Sequence, residues 1–191
     1  MARTSQGAMI IGITGTLGAG KGAVVEYLST KGFAHHSARE LITEEILRRG
    51  EPVNRDTMTH TANDMRRIHG PTYPQEQLFM RAAAQGKDAV VESVRSVAGA
   101  KFMKEHGAYL LAVDADPRLR YERIGKRGSE TDRVDFDTFL AHEAREMESD
   151  DPHHQNIRGV MALSDYTIEN DGTLEELHRK VDDMLAAFGR K

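Results

Sequence analysis

An octapeptide near the start of the chain constrains the fold more strongly than any other feature. Residues 15–22 read Gly-Thr-Leu-Gly-Ala-Gly-Lys-Gly and match the pattern G-x-x-x-x-G-K. The apolar run at 9–14 predicts a buried strand before it, and 23–30 predicts a helix after it. Glycines let backbone N–H groups point inward at phosphate oxygens, while the helix N-terminus and a lysine add positive charge. The predicted phosphate site comprises Gly15, Thr16, Leu17, Gly18, Ala19, Gly20, Lys21, Gly22 and Ala23.

We call residues 15–22 the phosphate loop, and its last two residues indicate how it would bind phosphate and metal. Lys21 places a mobile ammonium where the β- and γ-phosphates of a nucleotide would lie. At the next position the pattern has a Ser or Thr whose hydroxyl binds Mg²⁺, but this chain has Gly22 followed by Ala23. We therefore expect magnesium to be held by the phosphates, by water and by another group of the protein.

Strand-like and helix-like stretches alternate along the whole chain. Short apolar runs predict strands at 9–14, 89–92 and 108–113, and we assign two further short strands to 33–36 and 166–168. Caps and breakers predict helices at 23–30, 38–49, 54–68, 73–85, 98–106, 117–127, 135–147, 154–163 and 173–188. Strands separated by helices are typical of a parallel sheet covered on both faces. The sequence thus predicts an α/β fold, with three layers in α/β/α order around a five-stranded parallel sheet.

Length and composition limit the classes of protein to consider. The 191 residues suit one domain, which we place at 9–191 after a flexible leader at 1–8. A net charge of −4 argues against a nucleic-acid groove, and the absence of cysteine excludes disulfides and thiolate metal sites. No apolar run approaches the ~18 residues of a membrane span, and the leader lacks a hydrophobic signal core. We expect a cytoplasmic protein without nucleic-acid or membrane partners; its oligomeric state is left open.

Three further segments follow the phosphate loop in an order known from one group of enzymes. They are Val-Val-Glu-Ser-Val-Arg at 90–95, Arg-Ile-Gly-Lys-Arg-Gly at 123–128, and the last strand with its Asn-Asp-Gly turn at 166–172. Together with the loop they resemble the nucleoside monophosphate kinase group of P-loop proteins. Within that group they resemble the dephospho-CoA-kinase-like and archaeal uncharacterised kinase-like sequences. The resemblance implies a P-loop NTPase fold, ATP and Mg²⁺ as cofactors, and the helical insertion and lid of these kinases.

The resemblance implies roles for residues at the ends of the strands. Glu92 would lie near the waters of Mg²⁺, where the group usually has an aspartate, and Arg95 would grip the acceptor phosphate. Asp171 and Gly172 would lie against adenine. Their Asn-Asp-Gly turn is also one that its composition favours without any ligand.

The resemblance further implies a lid at about 128–137 that is flanked by arginines. Arg123 and Arg127 are four residues apart and share a helix face, from which they would contact adenine and the phosphates. Arg145, on the helix that returns from the lid, would point at the transferred phosphoryl group. A salt bridge on the surface of that helix is the alternative for Arg145.

The acceptor pocket should come from the helical insertion at about 37–86. Arg39 and Arg66 lie there, and with Arg95 they would form a site for an anionic acceptor. A kinase that phosphorylates a hydroxyl needs a base, and the second strand offers His36 in place of a carboxylate, whereas a phosphate acceptor is already an anion. We therefore predict an ATP-dependent kinase with a small nucleotide-type acceptor, a nucleoside monophosphate. The alternatives are phosphorylation of the 3′-hydroxyl of dephospho-CoA and a nucleotide-binding switch or ATPase without an acceptor.

Overall fold

A five-stranded sheet forms the centre of the molecule, for which a computed structural model describes residues 7–127, 135–151 and 153–190. The strands are β1 Ile10–Gly15, β2 Ala34–Ser37, β3 Ala89–Glu92, β4 Tyr109–Asp114 and β5 Tyr166–Glu169. All neighbouring strands pair in parallel, in the order β2-β3-β1-β4-β5. The predicted five-stranded parallel sheet is therefore confirmed.

Helices connect the strands. Along the chain they are α1 Lys21–Thr30, α2 Ala38–Arg48, α3 Arg55–His69, α4 Tyr73–Ala84, α5 Val97–Glu105, α6 Pro117–Arg127, α7 Phe136–Met147, α8 Ile157–Ala162 and α9 Leu174–Ala187. The prediction was wrong about the start of α8, which we placed at 154. The helix begins at Ile157 because Oδ1 of Asn156 accepts a hydrogen bond from the N–H of Gly159 at 2.8 Å and caps the helix there.

Two apolar cores cover the opposite faces of the sheet, because side chains alternate along each strand. On one face Ile10 of β1 belongs to a core that also includes side chains of α2, α3, α4, α5 and α8. On the other face Ile11 and Ile13 of the same strand share a core with α1 and α9. The predicted three-layer α/β/α arrangement is therefore confirmed.

The structure describes the predicted insertion, but only the end of the predicted lid. Helices α2, α3 and α4 fill the connection between β2 and β3 and contact one another. Ser37 caps α2, since its Oγ accepts from the N–H of Glu40 at 3.4 Å. Of the lid, residues 128–134 lie outside the described part of the chain, and Asp135 is the N-cap of α7.

Two further observations concern the N-terminus and the character of the helices. Of the predicted leader, only Gly7 and Ala8 are described, and both are exposed. Among the described residues, no helix combines the length and the apolar character that crossing a membrane requires.

Candidate functional site

A cavity of about 610 Å³ opens at the carboxyl end of the sheet. The phosphate loop and the start of α1 form one wall, and helices α2, α3 and α4 contribute another. Ligands of open α/β sheets bind at this edge. The cavity brings together the following predicted residues: Leu17, Gly18, Gly20, Lys21, Gly22, Arg39, Arg66, Glu92 and Arg95.

The phosphate loop turns sharply between β1 and α1, and three of its glycines have no room for a side chain. At Gly18 a Cβ would lie 2.7 Å from the carbonyl oxygen of Arg120. Gly20 caps α1 with a left-handed φ of 97°, and a Cβ there would lie 2.3 Å from Nδ2 of Asn170. At Gly15 a Cβ would lie 1.9 Å from the carbonyl oxygen of Val113. A Cβ at Gly22 would meet nothing within 4 Å. The usual hydroxyl is therefore replaced there by open space and not by another contact.

Side chains from the neighbouring strand ends and from α6 hold the loop from outside. The bonds run from Thr16 Oγ1 to Asp114 Oδ1 (2.5 Å), from Arg120 Nη1 to the carbonyl oxygen of Leu17 (3.1 Å) and from Asn170 Nδ2 to the carbonyl oxygen of Ala19 (2.8 Å). These bonds hold the backbone of the loop in one shape, and a loop held in this way loses less conformational freedom when it binds a ligand. Our sequence reasoning did not assign these holding roles. The position of Asp114, at the end of the strand beside β1, was the available signal.

Lys21 is the first residue of α1 and lies against the loop. Its Nζ donates to the carbonyl oxygens of Gly15 at 2.9 Å and Thr16 at 2.6 Å. The ammonium is thereby kept at the cavity wall, on a flexible stem that can turn toward a phosphate. Its contact with the β- and γ-phosphates stays a prediction.

Arg66 of α3 is a buried cation at the acceptor end of the cavity, with only 3% of its surface exposed. Its Nε donates to the carbonyl oxygen of His153, and its Nη2 donates to Oδ1 of Asn63, each at 2.6 Å. Both partners are neutral, so neither compensates the charge. Burial, together with the positive charge of Arg95, lowers the pKa of Arg66 to about 10. No carboxylate pairs with Arg66 in the described part of the chain, and a buried guanidinium of this kind is suited to receive an anion.

Arg95, three residues beyond β3, lies beside Arg66, and we call these two residues the acceptor clamp. Nη1 of Arg95 donates to Oε2 of Glu146 at 2.9 Å and to Oε1 of Gln155 at 3.0 Å. Arg39 also lines the cavity, on the exposed side of α2. With Lys21, the cavity wall thus carries four basic side chains against two acidic ones, and it is basic although the whole chain carries a charge of −4.

Glu92 ends β3 in register with Ile13 of β1 and lines the cavity. Its Oε2 lies 3.0 Å from Nε2 of His35, which follows Ala34 on the neighbouring strand β2. The next residue, Ser93, has a φ of 67°, a conformation that is uncommon for a residue other than glycine. This turn carries the chain from Glu92 to Arg95, and both side chains reach the cavity.

Other predicted residues lie away from the cavity wall. Arg145 is exposed on α7, and its neighbour Glu146 lines the cavity. Asp171 accepts from the N–H of Asp116 at 2.7 Å, which joins the turn after β5 to the turn after β4. Gly172 precedes Thr173, the N-cap of α9. The roles that we predicted for Arg145, Asp171 and Gly172 stay predictions.

The two arginines before the lid are described only in part. Arg123 is half-buried, and its Nη1 is a buried donor with no hydrogen-bond partner in the described part of the chain. The side chain of Arg127 lies outside the described residues. Ala23 and Ala19 face the core rather than the cavity.

The carboxylates of the site do not form a metal centre by themselves. Within the described ranges, no group of three or more His, Cys, Asp or Glu residues is placed to hold an ion. Glu92 is an oxygen donor beside the phosphate loop, which suits Mg²⁺ because this ion usually keeps several waters and takes one or two carboxylates plus substrate phosphates.

A comparison of the sequence with protein families finds one match over most of the chain. A family described as an AAA domain matches residues 11–153. Among curated relatives, a UPF0200 protein of Methanococcus vannielii is 26% identical over 180 residues, which cover 92% of this chain and 94% of the relative.

Solved structures show the same architecture. TT1252 from Thermus thermophilus superposes with a TM-score of 0.62 at 21% identity, covering 95% of this chain and 98% of that one. A shikimate kinase from Acinetobacter baumannii in complex with shikimate gives a TM-score of 0.56 at 16% identity, covering 97% of each chain. At these identities the likeness concerns the fold alone. The predicted P-loop NTPase fold, of the kind that kinases use, is therefore confirmed.

Proposed function

The chain belongs to the AAA domain family, and from this premise we propose that it is an ATP-dependent kinase that transfers the γ-phosphoryl group to a small nucleotide-type acceptor, a nucleoside monophosphate. One observation carries the proposal: Lys21 and the acceptor clamp line a single cavity. A nucleotide switch needs the phosphate loop but has no use for a second cationic site facing it. A kinase needs both, because donor and acceptor phosphates must meet.

The donor side fits ATP and Mg²⁺. Gly18, Gly20 and Gly22 present backbone at the cavity wall, where side chains would exclude phosphate oxygens. Lys21 would exchange its carbonyl partners for the phosphates, and Glu92 would hold waters of the metal. Bound Mg·ATP supplies the transferable phosphoryl group with part of its charge neutralised.

The acceptor side fits a phosphate carried by a flat, partly apolar group. The clamp of Arg66 and Arg95 offers two guanidinium groups to an oxyanion. Apolar side chains on the α2–α4 side of the cavity suit a nucleobase: Ile42, Val53, Met58, Ala62 and Pro74. Because a phosphate acceptor is already an anion, this reaction requires no general base.

A hydroxyl acceptor, as in dephospho-CoA, is the second candidate, and one observation favours it. Glu92 is a carboxylate inside the cavity, and the imidazole of His35 lies 3.0 Å from it. A carboxylate held in this way has the chemistry to accept the proton of a hydroxyl as the oxygen attacks.

A panel of acceptors tests the proposal. ADP production from Mg·ATP would be followed in the presence of each common nucleoside monophosphate and of dephospho-CoA. We expect at least one monophosphate to stimulate ADP release and to appear as the diphosphate. Stimulation by dephospho-CoA alone would favour the second candidate, and ATP hydrolysis that no acceptor stimulates would overturn both.

A matched pair of lysine variants controls for contaminating activity. Lys21→Ala should remove the acceptor-stimulated signal. Lys31→Ala should leave it unchanged, because Lys31 follows the other end of α1 and pairs with Asp182 on α9 at 2.7 Å.

A further inference from the structure

The two guanidinium groups of the acceptor clamp form their hydrogen bonds through different nitrogen atoms. Both hydrogen bonds of Arg95, to Glu146 and Gln155, come from Nη1. Arg66 shows the reverse, since its bonds come from Nε and Nη2. In the part of the chain that the structure describes, Nε and Nη2 of Arg95 and Nη1 of Arg66 have no hydrogen-bond partner.

The unused donors match the geometry of an oxyanion. The N–H groups on Nε and Nη2 of an arginine point in parallel and bind two oxygens of a phosphate side by side. Nη1 of Arg66 adds further donors for a third oxygen. A phosphate monoester has three such oxygens and carries a charge of about −1.5 to −2 at neutral pH. The free edges of Arg95 and Arg66 together therefore suit this group.

The residues that hold Arg95 come from elements far along the chain. Glu146 is in the last turn of α7, and Gln155 lies just before α8. The same segment fixes the backbone, because the N–H of Asn156 donates to the carbonyl oxygen of Arg95 at 2.8 Å. The arginine is thus oriented by a helix and a turn that belong to neither the phosphate loop nor β3.

Helix α7, which presents Glu146, is itself fixed in place. One turn before Glu146, Glu143 pairs with Arg120 through both carboxylate oxygens, with Nη2 and Oε2 3.0 Å apart. Arg120 is buried and also bonds to the phosphate loop through the carbonyl oxygen of Leu17. Glu146 is therefore presented from a helix that is tied to the donor side of the site.

We propose that Glu146 and Gln155 are positioning residues for the acceptor clamp. They fix Nη1 of Arg95 so that its Nε–Nη2 edge, together with Nη1 of Arg66, faces the phosphate oxyanion of the acceptor. The inference rests on the proposed kinase function for the molecule that carries this oxyanion. Glu146 also has an opposite effect, because its negative charge opposes the positive charge of the clamp. A role in positioning and a role as a competing anion thus predict opposite signs for its removal.

Two substitutions at one position separate these roles. Glu146→Ala removes both the hydrogen bond and the charge, whereas Glu146→Gln removes the charge and keeps an oxygen that accepts from Nη1. If Glu146 positions Arg95, alanine should weaken oxyanion binding about fivefold, which is the range for losing the order of one side chain. Glutamine should bind as well as wild type or better. Glu148→Ala is the control, because Glu148 follows α7, is exposed, pairs with Arg158 and lies outside the cavity wall.

The probe is phenyl phosphate, a phosphate monoester on a flat ring. It would be titrated by calorimetry into the full chain with its phosphate loop filled by Mg²⁺ and AMP-PNP, so that the probe cannot occupy the loop. Thermal unfolding of each variant would show that it is folded. Tighter binding by Glu146→Ala, or binding equal to wild type, would overturn the proposal.

A double-mutant cycle shows whether the effect passes through Arg95. Lysine has no paired N–H edge to orient, so Glu146→Ala should cost nothing further in an Arg95→Lys background. An equal loss in both backgrounds would mean that alanine disturbs the fold and would overturn the positioning role. The kinase proposal is tested separately. If phenyl phosphate binds as expected but no acceptor is turned over in the panel, the positioning role is supported and the kinase proposal is refuted.

Discussion

The buried ion pair between Arg120 and Glu143 provides the sharpest test of how the donor side is held. Their side chains are 4% and 14% exposed. Besides Glu143, the guanidinium bonds to the carbonyl oxygens of Ala115 at 2.8 Å and Leu17 at 3.1 Å. Glu143→Gln keeps the shape of the side chain but removes its charge, so that a buried cation loses the closer of its two carboxylate partners.

The size of the expected loss of stability follows from the partners that Arg120 keeps in the variant. Breaking a buried ion pair costs about 3–5 kcal/mol when the remaining charge is left unpaired. Here Arg120 keeps two carbonyl partners, Oδ1 of Asp114 lies 3.7 Å from its Nε, and glutamine still offers one oxygen. We therefore expect Glu143→Gln to lower the free energy of unfolding by about 2–3 kcal/mol, or Tm by about 5–10 °C for a chain of this size.

Urea denaturation followed by circular dichroism measures this loss. Glu148→Gln is the matched control, since Glu148 is 62% exposed and pairs with Arg158 at the surface, and it should change the free energy of unfolding by at most about 0.5 kcal/mol. A loss below about 1 kcal/mol for Glu143→Gln would refute the reasoning, because it would place the pair among ordinary surface pairs.

A double variant separates stability from the shape of the loop. Arg120→Met with Glu143→Leu should recover part of the stability, because apolar residues replace a buried ion pair at little cost. It should still weaken Mg·ATP binding, because the bond to the carbonyl oxygen of Leu17 is gone. Wild-type ATP affinity in the double variant would show that this bond does not position the loop.

Three further predictions concern the cavity wall. Lys21→Ala should abolish phosphoryl transfer; a kcat/KM equal to that of wild type would contradict our assignment of the loop. Arg95→Ala should raise the acceptor KM about tenfold to a hundredfold with little effect on the KM for ATP. If only the KM for ATP changed, the proposed role of Arg95 in binding the acceptor would be wrong. Gly20→Ala should cost about 1–2 kcal/mol from its left-handed φ and more from the contact with Nδ2 of Asn170 at 2.3 Å; unchanged Tm and ATP affinity would contradict this.

The sheet and the phosphate loop could be predicted because their signals are local. The three central strands are short apolar runs, and the loop is one uninterrupted motif between a strand and a helix. The start of α8 was missed because a cap can only be assigned once the helix that it serves is known. Residues 154–156 carry suitable polar groups, and the structure uses Asn156.

The contacts that hold the arginines could not be predicted, because they join distant parts of the chain. Arg95 meets Glu146 51 residues later, and Arg66 meets the carbonyl oxygen of His153 87 residues later. On α7 the sequence offered Arg145 and Glu146 side by side. Neighbours on a helix point about 100° apart, and of these two it is Glu146 that lines the cavity.

This difference explains why the shared motif predicts the phosphate loop better than it predicts the second cationic site. The phosphate loop is eight consecutive residues held by a few ties, so its motif alone predicts it. The acceptor clamp needs α3, the turn after β3, the end of α7 and the turn before α8 to meet. A substitution in any one of these segments can therefore alter the clamp without changing the motif of the phosphate loop. Under the proposed function the acceptor has to be identified from the clamp and its holding residues, and the variants at Glu146 address that part of the site directly.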